Sequence, residues 1–157
     1  MLIEANDDAL AELADGNAPN LLKLAEGGLE APEVLQMLRS LAISVRKDFE
    51  PAAWLIVEDG EIVGLCSLKN APDSRSAVEI GYGIAPSCRG RGAGRRAIAE
   101  LVSWARSEVR VKCILVETSV DNIPSQRVLE RNGFVRTGSR TDAVDGDLVC
   151  WQILVDQ

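Results

Sequence analysis

Residues 84 to 96 read IAPSCRGRGAGRR. This stretch contains Gly90, Gly92, Gly94, Arg89, Arg91, Arg95 and Arg96. The alternating glycines let the backbone curl and its N–H groups approach an anion, and a helix predicted to begin at Gly92 directs its positive dipole end at the same point. The guanidinium groups offer paired donors that suit phosphate oxygens. The stretch therefore predicts a pyrophosphate-binding turn between a strand and a helix.

The same residues also match a looser dinucleotide-binding pattern, GxGxxA, from Gly92 to Ala97. That pattern requires glycine directly after the first strand, whereas residues 86–89 intervene here, and the chain that remains is short for a doubly wound dinucleotide domain. Glu117, at the end of the next predicted strand, occupies the place of a ribose-binding acid, so this alternative stays open. A P-loop is excluded because no Gly-Lys-Ser/Thr sequence occurs.

Hydrophobic periodicity and turn residues predict the elements around this stretch. We expect strands over 2–4, 54–57, 62–68, 77–84, 113–118, 134–139 and 148–155, with an Asp59-Gly60 hairpin turn. We expect helices over 7–14, 32–47, 92–107 and 122–132, and a further helical turn over 20–25. The apolar strand over 113–118 indicates burial on both faces, and a polar loop is predicted over 141–147. This order predicts one mixed α/β domain, with helices on the faces of its sheet.

Charge is distributed unevenly along the chain. The 157 residues include 17 basic and 24 acidic side chains, a net charge of -7. Residues 1–62 carry 13 acidic and 4 basic side chains, whereas residues 63–112 carry 4 and 9. An acidic protein with a single basic segment is a poor general nucleic-acid binder, because such binding needs many phosphate contacts. We therefore expect one compact anion, and no nucleic acid, as the partner of the basic segment.

The residue types present exclude several classes of protein. The chain has no histidine, so no His-dependent triad is possible and catalysis must use other groups. The cysteines lack CxxC spacing, so we expect free thiols and no metal site. No apolar run approaches the roughly 18 residues of a membrane span and no leader pattern begins the chain, so we expect a cytoplasmic protein without a membrane partner. The cysteines are Cys66, Cys88, Cys113 and Cys150.

The predicted strand over 77–84 carries a carboxylate on an almost bare face. In a regular strand Val78, Ile80, Tyr82 and Ile84 face the core, and Ala77, Glu79, Gly81 and Gly83 share the other face. That second face has little bulk beside Glu79, as a groove for an extended ligand requires. Glu79 is therefore our candidate general base. The alternative is a solvent-facing carboxylate or a partner for an arginine.

These residues resemble the GNAT superfamily of N-acetyltransferases. The acetyl-coenzyme A loop of that family reads R/Q-x-x-G-x-G/A, and here residues 89–94 read RGRGAG. Residues 122–134 are similar to the family's N-x-x-A/S-x-x-x-Y-x-x-x-G-F helix, except that Leu129 stands where the pattern has tyrosine. Residues 78–86 are similar to the family's fourth strand, particularly in the branch of ribosomal-protein N-terminal acetyltransferases. The three blocks together span about residues 77 to 134.

The resemblance implies a fold and a cosubstrate. The implied fold is a single domain over 1–157, with a mixed, mostly antiparallel twisted sheet of six to seven strands and helices on both faces. The implied cosubstrate is acetyl-coenzyme A, without a metal. The backbone amides of residues 89 to 95, among them Ala93 and Arg95, would hold its pyrophosphate, and its pantetheine arm would lie beside Ile84. Asn122 and Ser125 would reach the far side of the arm, although each is equally open to a structural role at a helix cap.

The implied activity is acetyl transfer to a primary amine of a small molecule or peptide, by direct attack. An alkylammonium has a pKa near 10.4, so neutral pH requires a base, which we expect to be Glu79 through water. A backbone N–H near Ile84 would meet the oxyanion, and Ser125 through water would assist the leaving thiolate. A coenzyme A-binding module without catalysis and a dinucleotide-binding protein are the competing functions. Relatives commonly form homodimers, so a homodimer is a possible partner arrangement.

Overall fold

The computed structural model describes residues 1–155 and has one sheet and four helices within them. The helices are α1 (Asp7–Ala14), α2 (Pro32–Arg46), α3 (Ala93–Ser107) and α4 (Ile123–Arg131). The strands are β1 (Leu2–Glu4), β2 (Lys23–Leu24), β3 (Ala53–Glu58), β4 (Glu61–Leu68), β5 (Ala77–Ile84), β6 (Cys113–Ser119), β7 (Val135–Asp142) and β8 (Gly146–Leu154). Every helix and strand that the sequence predicts is confirmed within a few residues, except at residues 20–25.

Hydrogen bonds order the strands β1-β3-β4-β5-β6-β8-β7, with β2 beside β4. The β2–β4 and β5–β6 pairs are parallel, whereas β1–β3, β3–β4, β6–β8 and β7–β8 are antiparallel. The predicted mixed, mostly antiparallel sheet is therefore confirmed, and its eighth strand is the two-residue β2. A doubly wound dinucleotide domain would instead have a mostly parallel sheet.

Residues 1–71 and 81–93 form the first of two compact units. Its helix α1 begins at Asn6, whose Oδ1 accepts a hydrogen bond from the N–H of Ala9 at 2.8 Å. Arg39 of α2 donates through Nε and Nη2 to the two carboxylate oxygens of Asp7, at 2.8 and 2.9 Å. This ion pair joins the two helices, whose apolar sides are buried. The buried side chains include Leu10, Leu13, Leu35, Ala42 and Val45.

The helical turn predicted over 20–25 is wrong. Asn20 and Leu21 have φ angles of +60° and +58°, in the left-handed region, where a right-handed helix cannot continue. The chain then runs as β2, where the N–H of Lys23 donates to the carbonyl of Gly60 at 3.0 Å. A partner remote in sequence thus decides the conformation here, and a local pattern cannot show such a partner.

The predicted hairpin between β3 and β4 is confirmed. Asp59 and Gly60 have φ angles of +51° and +77°, as a two-residue turn between twisted strands requires. β4 then carries one extra residue, Val63, opposite the step from Ile56 to Val57 in β3. The carbonyl of Val63 accepts a hydrogen bond from the N–H of Ala85, just beyond β5, at 2.7 Å. The bulge thereby holds the end of β5 against β4.

Residues 72–80 and, among those described, 94–155 form the second unit. Here the first half of β5 pairs with β6 from Ala77 to Ile80. Burial alternates along β6, so the predicted burial of this strand on both faces is wrong. Ile114, Val116 and Thr118 are buried, and the residues between them are half-buried. One face of β6 is therefore more open than its apolar sequence indicates.

The end of α4 and the last hairpin complete this unit. Gly133 has φ +88° and the N–H of Phe134 donates to the carbonyl of Leu129 at 3.0 Å, which ends α4 as predicted. The polar loop predicted over 141–147 is shorter in the structure, because β7 continues to Asp142 and leaves only residues 143–145 as a turn. The Asp142 carboxylate accepts from two N–H groups of this turn, at 2.9 and 2.7 Å, and so stabilises a tight connection.

No helix within residues 1–155 is both long enough and apolar enough to cross a bilayer. The single domain expected over 1–157 stays a prediction, and its last two residues lie outside the described residues.

Candidate functional site

The glycine-rich turn connects β5 to α3. Gly90 and Gly92 both have φ +80°, which residues with a Cβ rarely adopt. α3 begins directly afterwards at Ala93, so the first N–H groups of the helix, which lack partners inside it, lie at the end of the turn. Residues 89–92 are exposed, whereas Ala93 and Gly94 are buried. An exposed turn with left-handed glycines before a helix N-terminus fits an anion such as a pyrophosphate.

Arg89 and Arg91 hydrogen-bond backbone carbonyls just before the turn. Nε of Arg89 donates to the carbonyl of Ile84 at 3.1 Å, and Nη2 of Arg91 donates to the carbonyl of Ser87 at 2.7 Å. Arg89 uses one of the five N–H donors of its guanidinium in this bond. The two side chains therefore brace the turn and keep positive charge beside it.

Two contacts that the sequence did not predict hold the residues just before the turn. Oγ of Ser87 donates to the carbonyl of Glu26 at 2.9 Å, and Sγ of Cys88 donates to Oε1 of Glu61 at 3.4 Å. Cys88 is only 2% exposed, so its thiol serves as a structural donor. No sequence signal could have found these contacts, because Glu26 and Glu61 are remote from the turn along the chain.

At the end of β5, one backbone N–H points away from β4. The N–H of Ala85 is bonded to β4, and N–H directions alternate along a strand, so the N–H of Ile84 points the other way. β4 and β5 also approach closely here, since a Cβ built at Gly64 would overlap the carbonyl oxygen of Gly83. The Ile84 N–H is the group for which the sequence predicts an oxyanion contact.

A cavity of about 150 Å³ lies between α2, β4 and β5 in the first unit. Its lining includes Leu29, Val34, Leu38, Leu65, Gly81 and Gly83. Tyr82 also lines it and is half-buried, so it is less buried than the core-facing position that the sequence predicts. The buried part of β5 ends at Ile80, because the strand beyond that residue borders the cavity.

In the second unit the predicted site residues lie on β5 and α4. Glu79 is half-buried and opposite Leu115 of β6. Oδ1 of Asn122 accepts a hydrogen bond from the N–H of Ser125 at 3.2 Å and so caps α4. This is the structural role that the sequence left open for Asn122. Leu129 is 0% exposed, so its position, tyrosine in the GNAT pattern, is part of the core and offers no proton donor.

Glu117 is engaged by an arginine. Both of its carboxylate oxygens accept hydrogen bonds from Arg140, with Nη2 to Oε1 at 2.8 Å and Nε to Oε2. Sγ of Cys150 also donates to Oε2 of Glu117 at 3.7 Å. Burial, followed by the negative charge of Glu117, raises the pKa of the Cys150 thiol. With its oxygens bound in this way, Glu117 is a poor partner for a ribose, which counts against the dinucleotide alternative.

The structure thus places the predicted site residues in two groups. The first unit contains Ile84, Arg89, Gly90, Arg91, Gly92 and Ala93; the second contains Glu79, Gly94, Arg95, Asn122 and Ser125. In the second group, Nδ2 of Asn132 donates to the carbonyl of Arg95 at 3.2 Å and joins the end of α4 to the first turn of α3. Across the described part of the chain, no three His, Cys, Asp or Glu side chains are grouped to hold a metal ion.

Solved structures of acetyltransferases match this fold over almost the whole chain. RimL, a ribosomal alpha-N-protein acetyltransferase in complex with coenzyme A, superposes with a TM-score of 0.72 at 20% identity, over 98% of this chain and 93% of that one. A spermidine N-acetyltransferase SpeG chimera from Vibrio cholerae and hSSAT gives a TM-score of 0.72 at 19% identity, over 99% and 95% of the two chains. At these identities the likeness shows the fold alone.

Sequence comparison also finds similarity to acetyltransferases. The chain is 33% identical over 104 residues to a putative ribosomal N-acetyltransferase, YdaF, of Bacillus subtilis (strain 168). That match covers 63% of this chain and 57% of the relative, so the chain spans little more than half the length of this curated relative. A family model described as an acetyltransferase (GNAT) domain matches residues 4–135.

Proposed function

The chain belongs to the GNAT acetyltransferase family, and on that premise we propose that it transfers an acetyl group from acetyl-coenzyme A to a primary amine. The observation that carries the proposal is the turn between β5 and α3, where Gly90 and Gly92 at φ +80° precede a helix N-terminus. Such a turn offers several N–H donors to the two phosphates of a pyrophosphate. The donors belong to the backbone, so glycine at the left-handed positions is the main requirement on the sequence.

Acetyl-coenzyme A supplies an acetyl group that is activated as a thioester. We assign its pyrophosphate to the backbone amides of residues 89–95, with the Arg89 guanidinium beside them. We assign its pantetheine arm to the end of β5 at Ile84, with Asn122 and Ser125 on the far side of the arm. The Ile84 N–H supports this assignment, because it points away from β4 and can therefore donate to the acetyl oxygen at the thioester end of the arm.

The transfer forms a C–N bond between the amine and the acetyl carbon and breaks the C–S bond of the thioester. The N–H of Ile84 donates to the carbonyl oxygen as negative charge develops on it. Glu79, through water, accepts the proton that the ammonium loses. The sulfur leaves with the bonding electron pair and is protonated by solvent or through Ser125, because Leu129 offers no donor. A thiol pKa near 8.5 makes this departure feasible without a dedicated acid.

The release of free coenzyme A thiol, measured with a panel of primary amines, tests the proposal. A reading without amine corrects for the protein's own cysteines. We expect thiol release that depends on the amine. Binding of acetyl-coenzyme A without release would instead identify a coenzyme A-binding module, which the buried Leu129 favours. Thermal stabilisation by NAD or FAD, and not by acetyl-coenzyme A, would identify a dinucleotide-binding protein, since a true ligand stabilises the native state.

The acceptor that we propose is a primary amine on a small molecule or a peptide. A cytoplasmic location and a homodimer stay predictions. Size-exclusion chromatography with light scattering tests the second of these directly.

A further inference from the structure

The cavity between α2, β4 and β5 combines apolar walls with two charged side chains. α2 contributes Val34 and Leu38, and β4 contributes Leu65, which is 7% exposed. Glu30 and Lys69 also line the cavity but are exposed, so they lie where it opens to solvent. Its volume of about 150 Å³ is below the roughly 300 Å³ of the smallest drug-sized pockets. It therefore suits a small molecule or the end of a longer chain.

The glycines of β5 show which charged side chain lies beside each position of the strand. A Cβ at Gly81 would lie 3.3 Å from Cε of Lys69, and a Cβ at Gly83 would lie 3.4 Å from Oε1 of Glu30. These positions share one face of the strand and are two residues apart, which separates them by about 7 Å. Within residues 1–155, neither Lys69 nor Glu30 forms a hydrogen bond or an ion pair. Both charges are therefore available to a ligand, and the two glycines leave the space beside them open.

We propose that this cavity binds the acceptor and that the acceptor carries an anionic group as well as its primary amine. The proposal rests on the proposed function, and it assigns the amine to Glu30 and the anion to Lys69. Gly83 directly precedes Ile84, whose N–H we assign to the acetyl oxygen, so an amine at Glu30 lies near the reacting carbon. Glu79 lies four residues earlier in β5, about 13 Å along the strand, so the water route by which it accepts the proton is a chain of several molecules. The apolar walls accept the carbon chain between the two charged ends.

Lys69 makes the cavity unfavourable for a polyamine. A second ammonium beside Gly81 would meet the like charge of Lys69, whereas a carboxylate there would be attracted to it. Both side chains are exposed, so water and salt screen them and each contributes only a modest factor to affinity. The chemistry that fits is a short zwitterion, either a short amino acid with a terminal amine or a peptide N-terminus followed by an acidic residue.

Three probes of similar length test this charge preference: γ-aminobutyrate, n-butylamine and putrescine. Calorimetry measures the affinity of each probe for the full chain saturated with coenzyme A, and thiol release measures turnover separately. We expect γ-aminobutyrate to bind about threefold to tenfold more tightly than n-butylamine, and putrescine to bind most weakly. The amides of Ala-Glu-Gly-Gly and Ala-Lys-Gly-Gly extend the test, because tighter binding of the acidic peptide than of γ-aminobutyrate identifies a chain end as the acceptor.

Lys69→Glu is the most informative variant, because it reverses one charge of the cavity and leaves the glycine-rich turn unchanged. We expect the order to invert, so that putrescine binds more tightly than γ-aminobutyrate. Lys47→Glu makes the same change in net charge at an exposed residue just after α2, and it should keep the wild-type order. Glu30→Gln should weaken all three probes by a similar factor, because all three share the ammonium.

Thermal stabilisation by acetyl-coenzyme A confirms that each variant is folded and retains the turn. The proposal is overturned if the wild-type protein binds none of the probes, if it binds all three with the same affinity, or if Lys69→Glu keeps the wild-type order of affinities. Binding in the expected order without any acetyl transfer would support the cavity assignment and refute the proposed function. Acetyl transfer without the expected order of affinities would support the proposed function and refute the cavity assignment.

Discussion

Glu79 is the one carboxylate on its face of β5, where its neighbours are an alanine and two glycines. A positioned base contributes a rate factor of about 10² to 10⁴. We therefore expect Glu79→Gln to lower kcat about a hundredfold or more and to leave the Kd of acetyl-coenzyme A unchanged, since the substitution keeps the shape of the side chain. Thiol release measures the first quantity and calorimetry the second.

Glu130→Gln, on the exposed side of α4, is the matched control for this substitution and should keep wild-type activity. If Glu79→Gln is equally active, Glu79 has no part in the mechanism, and the alternatives that the sequence left, a solvent-facing carboxylate or a partner for an arginine, apply instead.

Gly92 is held at φ +80°, where valine would strain the backbone by about 1–3 kcal/mol. We expect Gly92→Val to lose the thermal stabilisation that acetyl-coenzyme A gives, because valine disfavours the left-handed backbone conformation that the turn needs. Gly16→Val is the matched control, since Gly16 has φ +83° and open space around it, after α1. It should lose a similar amount of stability and keep the ligand-induced rise in Tm. Unchanged acetyl-coenzyme A affinity in Gly92→Val would refute the assignment of the turn.

The helix α4 begins at a side-chain cap, and this gives Asn122 a measurable role whether or not it touches a ligand. Asn122→Ala should lower the free energy of unfolding by about 1 kcal/mol, because the N–H of Ser125 loses its partner. Asn6→Ala removes the equivalent cap of α1 and is the matched control. Denaturant unfolding compares the two losses. A lower affinity for acetyl-coenzyme A in Asn122→Ala alone would add a binding role to the capping role.

The close approach of β4 and β5 requires glycine at position 64. A Cβ there would overlap the carbonyl oxygen of Gly83 and lie 3.1 Å from Cδ1 of Ile84. Since a backbone oxygen cannot rotate away as a side chain can, we expect Gly64→Ala to destabilise the fold by about 1–3 kcal/mol. Gly138→Ala, in β7, has open space at its Cβ and should be close to neutral. Equal midpoints of urea unfolding for the two variants would contradict this explanation.

Helices and hairpins were predictable because their signals are local. α2 shows a complete amphipathic period after Pro32, and the hairpin carries Asp59-Gly60, so neither needs information from elsewhere in the chain. β2 was not predictable, because its two residues are extended only by pairing with β4. The bulge at Val63 likewise has no signature in its own sequence.

The charge balance of the molecule determines how its stability depends on pH. Among residues 1–155, the carboxyl groups of Asp7, Asp73, Glu108 and Asp142 have a lowered pKa. In Asp7 the main cause is the hydrogen bond from Arg39, and in Glu108 the hydrogen bond from Arg110. In Asp73 and Asp142 the main causes are hydrogen bonds from backbone N–H groups. A group whose pKa is lower in the folded state stabilises the fold above its unfolded pKa, and this stabilisation is lost as the pH falls through the folded value.

We therefore expect the Tm to be nearly constant between about pH 5.5 and 7.5, because the chain has no histidine. Below about pH 4 the Tm should fall as these carboxylates are protonated. Thermal unfolding recorded across the pH range measures both effects. Asp73→Asn keeps an acceptor oxygen but cannot ionise, so it should make the acid-induced fall less steep. A Tm that rises on acidification would contradict the assigned directions.

Some features of the candidate site were predictable from the sequence and others were not, as for the elements of the fold. The turn at residues 89–94 was predictable because its glycines and arginines are adjacent, and Glu79 because strand alternation separates it from its apolar neighbours. The contacts of Ser87 and Cys88 with Glu26 and Glu61, and the position of Glu30 beside Gly83, were not predictable. Each joins residues dozens of positions apart.

Residue types and short spacings were enough to predict the order of the elements other than β2, the glycine-rich turn, the lack of any imidazole and the resemblance to one family. These properties depend on residue types and on spacings of a few positions, which the chain carries in any conformation. Tertiary structure alone decided the β4 bulge, the short strand β2, the half-buried position of Tyr82 and the cavity with Glu30 and Lys69. The reason is physical: such features exist only when distant segments are hydrogen-bonded and packed side by side, and the free energy that selects those pairings belongs to the folded chain as a whole.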